Sequence, residues 1–333
     1  MITQQELKEK EEKDISFFKR IFHWMVTNFK FLLIPGYNVE DLQQREIEYK
    51  KRKSKRKFIR RLKSILTIIG ILIILMIVTF AVFAPWISPY SYNDLLRGFF
   101  TNDYEPPSFE HILGTTFNGR DIFGRAIYGA RTSLTIALPA LLMAVSGGIV
   151  IGLVSGYYGG WVDSVLMRIM DVFLAFPSLI LVLVLIAILG RQIQFFMLAY
   201  GLLGIAGYAR LIRGSVLQAK ELDYVKAAKV SGASNFRIIF KHILPNCIQP
   251  ILISFTFDIG GVILSLAGLS FLGLGNPDQL IEWGNDVAAT ESALHYAPWA
   301  FFVPGIMIVI TVFGCMLLGD GLRDALDPRL RNL

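Results

Sequence analysis

The 333-residue chain is 54% hydrophobic and only 18% charged, a balance that excludes an ordinary water-soluble globular protein and points to the bilayer as solvent. Its formal net charge of +7 is concentrated ahead of the first apolar run and in short segments between later ones, as the positive-inside rule produces, and this argues against a nucleic-acid surface. Cys247 and Cys315 lie in or beside apolar runs and are read as small buried hydrophobes, with neither zinc-site spacing nor a disulfide framework.

The first residues, MITQQELKEKEEKD, lack the apolar h-region of a signal peptide. Ile15 to Ile34 is apolar and aromatic but interrupted by Lys19, Arg20 and Lys30, which predicts an amphipathic helix lying along the cytoplasmic interface. Pro35-Gly36 ends it, and Glu40 to Arg61 reads as a charged tether, so that residues 1–61 form a cytoplasmic extension. The basic cluster from Lys50 to Lys63 holds the N-terminus inside and would attract anionic membrane lipid.

A spanning helix needs about 20 apolar residues to cross a hydrocarbon core about 30 Å thick. Six runs qualify: Leu62–Ala84, Ser133–Ser155, Val165–Leu189, Phe195–Ile212, Ile248–Leu274 and Pro298–Leu318. The fold class is therefore all-α membrane protein, with a first span at 62–84 and an extracytoplasmic loop at 85–131. A core of five spans follows at 132–319, and the tail at 320–333 is cytoplasmic. Arg210, Arg213, Lys220, Lys226, Lys229, Arg237 and Lys241 all fall in or beside the one long loop that this topology puts in the cytoplasm, 219–246. The outside loop Asn276–Ala297 has neither lysine nor arginine. Arg97, Arg120, Arg125 and Arg131 sit in the longer first outside loop, where the rule is weaker.

Catalytic motifs are missing from the sequence. There is no G-x-x-x-x-G-K-[ST] phosphate loop, so the chain is not an ATP-driven motor, and there is no G-x-S-x-G or H-E-x-x-H. His23, His111, His242 and His295 do not cluster at metal-ligand spacing and are read as surface or structural residues. A conduit or a scaffold is favoured over an enzyme.

The loop between spans four and five, 219–246, predicts two short helices broken at Ser231-Gly232. Val225, Ala228 and Lys229 fall on neighbouring turns of the first, and Phe236, Ile239 and Phe240 form an apolar face on the second, which Pro245 stops. Such a loop reads as a docking surface for a cytoplasmic partner, the alternative being a simple connection. Inside the membrane, Gly148, Gly152 and Gly156 share one helix face and permit close packing of a neighbouring helix. Asp258 lies within span five, where an ionised carboxylate costs about 2.5–3.5 kcal/mol, so it must face protein or water, at a subunit interface or in a pore. Arg168 and Asp171 are spaced to pair on one helix face as a structural contact.

These residues resemble a known family. The small pair Ala227-Ala228, Gly232 with Ala233, and Ile243-Leu244-Pro245 are similar to the EAA loop of permease subunits in binding-protein-dependent ABC importers. Further motifs narrow the resemblance to the second permease subunit of oligopeptide, dipeptide and nickel importers. They are Leu113-Gly114-Thr115, Gly119-Arg120-Asp121, Tyr128-Gly129-Ala130-Arg131, Gly159-Gly160-Trp161-Val162-Asp163, Asp171 with Phe176-Pro177-Ser178, and Tyr208-Ala209-Arg210. The series continues with Ser270-Phe271-Leu272-Gly273-Leu274-Gly275, Trp283-Gly284-Asn285 and the tail from Gly319 to Arg329.

The resemblance covers about residues 60–331. It implies the fold of a type I ABC importer transmembrane domain, with six spanning helices and an N-terminal interfacial helix. It implies a bacterial plasma-membrane location with both termini cytoplasmic. The implied partners are a homologous second permease, two ATP-binding subunits that carry ATP and Mg, an extracytoplasmic substrate-binding protein and a peptide cargo. This chain itself would bind no cofactor. Lys226, Ala227, Ala228, Gly232, Ala233, Leu244 and Pro245 would form the ATPase-coupling element. The sequence departs from the family at Lys226, where Glu is usual, and at Asp258 and Ser265, where a small residue and an acid are usual. Nickel or metal-chelate cargo is the nearest alternative, and a self-sufficient ion-coupled carrier is the rival from another class.

Overall fold

The computed structural model describes Lys19, Val26 and residues 64–98, 103–275 and 280–326. The chain divides into two units, Met1–Ile59 and Arg60–Leu333. The interfacial helix at 15–34, the tether at 40–61 and the end of the tail motif at 327–329 lie outside the described residues, apart from Lys19 and Val26, which are helical.

In the second unit the long elements are helices: α1 (Ile65–Ile87), α2 (Tyr92–Arg97), α3 (Ile122–Tyr158), α4 (Gly160–Leu174), α5 (Ser178–Leu189), α6 (Ile193–Ala219), α7 (Asp223–Val230), α8 (Leu244–Leu269), α9 (Trp283–Thr290) and α10 (Pro298–Leu326). Five are long and apolar enough to cross a membrane, and the pair α4 and α5, bent by 81° at its break, makes a sixth crossing if taken as one broken span. The break falls at Pro177, which cannot donate a backbone hydrogen bond and disfavours helix in the residue before it. The apolar run at 165–189 is thus two helices, where hydropathy alone reads one.

α3 packs most extensively against α6, and α10 against α1 and α8. Glycines make the first contact possible. A Cβ on Gly148 would collide with Tyr208, one on Gly152 would stand 2.7 Å from the Ala209 carbonyl oxygen, and one on Gly156 would stand 2.8 Å from the Val216 Cβ. The contacts advance together along both helices, so α3 and α6 run parallel and touch backbone to backbone. Gly314, against Ile73, and Gly321, against Thr67, bring α10 close to α1 in the same way.

The bundle has two distinct ends. At one, the start of α1 meets the end of α10, the ends of α3 and α6 lie together, and α7 precedes the start of α8. The opposite end is a polar cap. Arg125 is buried in the first turn of α3, donates to the Leu95 carbonyl at 2.7 Å, and grips Asp286 of α9, its Nε lying 2.9 Å from Oδ1. The fully buried Trp283 covers Gly129 and donates from its indole to the Ala126 carbonyl at 2.9 Å. Glu282 caps α9 by accepting the N–H groups of Gly284 and Asn285 at 2.8 and 2.9 Å. Burial nevertheless holds its carboxyl above the ordinary carboxylate range. Asp121 caps α3 by accepting from Gly124 N–H at 2.7 Å, and its other oxygen meets His111 Nδ1 at 3.0 Å.

Several expectations are corrected. The helix that carries the second crossing starts at Ile122, ahead of the apolar run at Ser133, because Asp121 caps it there and Asp286 neutralises Arg125. Arg125 and Arg131 therefore belong to α3 and not to the loop at 85–131. Asp171 pairs with Arg210 of α6 at 2.6 Å and not with Arg168. The last helix continues through 320–326, which the sequence reading assigned to the tail.

Two stability predictions follow from this packing. Gly152→Ala places a methyl against backbone and is expected to cost about 1–3 kcal/mol, whereas Gly214→Ala, which meets open space, is expected to be neutral or stabilising. Thermal unfolding in mild detergent reads both. Arg125→Ala strands a buried carboxylate and is expected to cost about 3–5 kcal/mol, visible as a lower unfolding midpoint and faster proteolysis.

Candidate coupling loop and intramembrane cavity

α7 ends in a Schellman turn. The Gly232 N–H bonds the Lys229 carbonyl and the Ala233 N–H bonds the Ala228 carbonyl, both at 3.1 Å. Gly232 sits at φ +76° with nothing within 4 Å of where a Cβ would stand, so glycine is required here by backbone conformation and not by crowding. Ala228 and Ala233 close the turn on its inner side, half-buried against the main core. Ser234 then caps a helical turn, Asn235–Arg237, that widens into an i→i−5 bonded turn at Ile238–Ile243 and runs on into α8. Pro245 does not stop this helix, as the sequence reading had it. Leu244 donates to the Ile239 carbonyl and the chain continues, the wider turn lying just ahead of the proline's missing donor.

The loop is anchored on one side and bare on the other. Val225, Ile238, Ile239 and Ile243 are buried in the bundle core, and Tyr157 at the end of α3 donates to Asn235 at 2.8 Å. On the outer side Val230 is 89% exposed and Phe236 72%, with the Phe236 and Phe240 rings 4.4 Å apart. Ile239 therefore does not share a face with the two phenylalanines, contrary to the sequence reading. Leu244 is half-buried, while Pro245, Lys226 and Ala227 are exposed. Lys226 lies 3.3 Å from Glu221 on the loop itself.

A latch secures the base of the loop. Arg213 of α6 holds both oxygens of Asp163 on α4 at 2.6 Å, and the Ser155 hydroxyl of α3 donates to the same carboxylate. Lys220 donates to the Gly156 carbonyl at 3.1 Å. A two-pronged guanidinium–carboxylate contact fixes orientation as well as distance, so α3, α4 and α6 are tied where the loop begins. Sequence reasoning missed this pairing, because the partners are 50 residues apart and local spacing offers no signal.

Midway along α6 and α8 is a cavity of about 410 Å³, whose walls include Leu141, Leu174, Ser178, Tyr200, Ser254 and Asp258. Its volume lies in the range of small-molecule sites. Asp258 accepts a hydrogen bond of 2.6 Å from the Tyr208 hydroxyl. Neither the cavity nor Tyr208 as the partner of Asp258 was legible in the sequence. The structure groups the loop residues at one end, puts Asp258 in the cavity wall, and sets Gly148, Gly152 and Gly156 in the α3–α6 seam that joins the two, Gly148 against Tyr208 of the cavity wall and Gly156 accepting from Lys220 of the loop.

Comparisons with known proteins agree with this architecture. Residues 148–332 match the model for binding-protein-dependent transport system inner membrane components, and residues 56–107 match the N-terminal TM domain of oligopeptide transport permease C. A dipeptide transport system permease of Alkalihalophilus pseudofirmus is 40% identical over 81% of this chain and 88% of its own. An oligopeptide transport system permease of Bacillus subtilis is 41% identical over 80% and 87%. A di/tripeptide transport system permease of Pseudomonas aeruginosa is 38% identical over 79% and 88%. On this evidence the chain is a permease subunit, and it belongs to the family of binding-protein-dependent transport system inner membrane components.

Proposed function

We propose that this chain is half of the membrane pathway of an ATP-driven peptide importer. A homologous permease completes the pathway, two ATPase subunits with ATP and Mg drive it from the cytoplasm, and a substrate-binding protein delivers cargo from outside. The relatives described above carry peptide cargoes in their names, which supports peptides over nickel or metal chelates. Both termini and the loop at 219–246 are assigned to the cytoplasm. The positive-inside distribution supports this, as does the position of residues 65 and 326 at the same bundle end as that loop.

The observation that carries the reading is the loop's two-sided construction. Its inner face is fused with the core of the bundle while its outer face presents Val230, Phe236 and Phe240. A rigid protrusion with an apolar exposed tip is what a partner must grip in order to push on the bundle. Lys226, Ala227, Ala228, Gly232, Ala233, Leu244 and Pro245 form this element. Where an acid is usual ahead of the alanine pair, Lys226 has an acidic neighbour in Glu221, and its exposed ammonium favours an acidic rim on the ATPase groove.

The test is reconstitution of all subunits in proteoliposomes. Labelled peptide should accumulate with ATP, and the lone chain should transport nothing. Gly232→Val forces a β-branched residue into positive φ. It is expected to lower uptake at least ten-fold while membrane insertion and pairing with the second permease persist. Full uptake in that variant would remove the loop from the coupling path.

A further inference from the structure

Resting on the importer reading, we infer that the cavity between α6 and α8 is a subsite for the ammonium group of the cargo. Among the described residues that line it, Asp258 is the only carboxylic acid and there is no lysine or arginine. A peptide end bearing a carboxylate would find no counter-charge there, whereas an ammonium would find one. The Tyr208 hydroxyl occupies one Asp258 oxygen, Oδ2, and leaves the other oxygen to accept. An ammonium carries three donors. Beside the carboxylate the wall offers the hydroxyls of Ser254, Ser178 and Tyr200 as neutral acceptors. A divalent metal ion is poorly matched, since magnesium and calcium require six or more oxygen ligands and usually more than one carboxylate.

The surrounding architecture keeps this site accessible. Gly207, on the cavity wall, has open space before it, whereas Gly148 and Gly152 on the neighbouring helix are pressed against backbone. The bend between α4 and α5 supplies Leu174 and Ser178 to the same wall, so the cavity lies where the broken span leaves room. A carboxylate kept in such a place costs free energy that a passing cation recovers.

Uptake of labelled trialanine and of N-acetyltrialanine is to be measured in proteoliposomes holding the complete importer. Both cargoes lack other cationic groups. Asp258→Asn is expected to cut trialanine uptake at least ten-fold and N-acetyltrialanine uptake less than two-fold, while Asp258→Glu keeps the preference for the free amine. Tyr208→Phe retains the charge and should also keep it. A second readout does not pass through the binding protein: Ser254→Cys in the assembled importer should react with a maleimide at least five-fold more slowly with millimolar trialanine, but not with N-acetyltrialanine. The inference is overturned by equal losses for both cargoes in Asp258→Asn, by equal protection from both peptides, or by loss of the second permease on purification of Asp258→Asn, which would make the residue an interface tie. Failure of the unaltered importer to move any peptide is a separate result that removes the cargo assignment itself.

Discussion

In hydrocarbon an apolar side chain gains nothing by leaving lipid for protein, so helices associate through close packing and internal polar contacts. The seam between α3 and α6 meets that constraint directly, with Gly148, Gly152 and Gly156 each seated against a successive turn of the partner helix. Both other features of the molecule depend on this seam. α6 continues into the loop at 219–246, and its middle forms one wall of the cavity. Parallel α3 and α6, joined backbone to backbone, form a strut that connects the loop, the cavity wall and the start of α3.

Besides the exposed Asp171–Arg210 pair, three polar contacts mark levels along this strut. Arg125 with Asp286 closes one end, Asp163 with Arg213 closes the other, and Asp258 with Tyr208 stands between them. The outer two are salt bridges, each fixed by a guanidinium. The middle carboxylate is answered only by a neutral hydroxyl and faces open volume. In the importer proposed above, fixed ends with an uncommitted carboxyl between them suit a bundle that passes cargo by its centre while receiving force at its base.

Much of this was readable from residue order. Apolar length gave the five long helices, and missed only that the run at 165–189 is broken at Pro177. Ser231-Gly232 announced a break, which proved to be a Schellman turn. Misreadings arose where a distant partner overrode a local rule. Arg125 reads as a loop residue until Asp286 is brought to it from far along the chain, and Arg168 reads as the partner of Asp171 until Arg210 intervenes. Pro245 was read as a stop because proline usually is one, yet a helix can absorb a missing donor by widening ahead of it. The cavity left no trace in the sequence, since concavity arises from the arrangement of several helices and its lining is mostly common apolar residues.

The widened turn at Ile238–Ile243 sets an angular offset between the loop and α8. Each residue of a regular helix advances about 100° around its axis, so the extra residue held in this turn decides which way Phe236 and Phe240 point relative to the wall that carries Asp258. The azimuth of the exposed tip is thereby set separately from that of the cavity wall. In the importer proposed above, two permeases built on the same plan could then point their tips at differently positioned motors without any redesign of the passage between them.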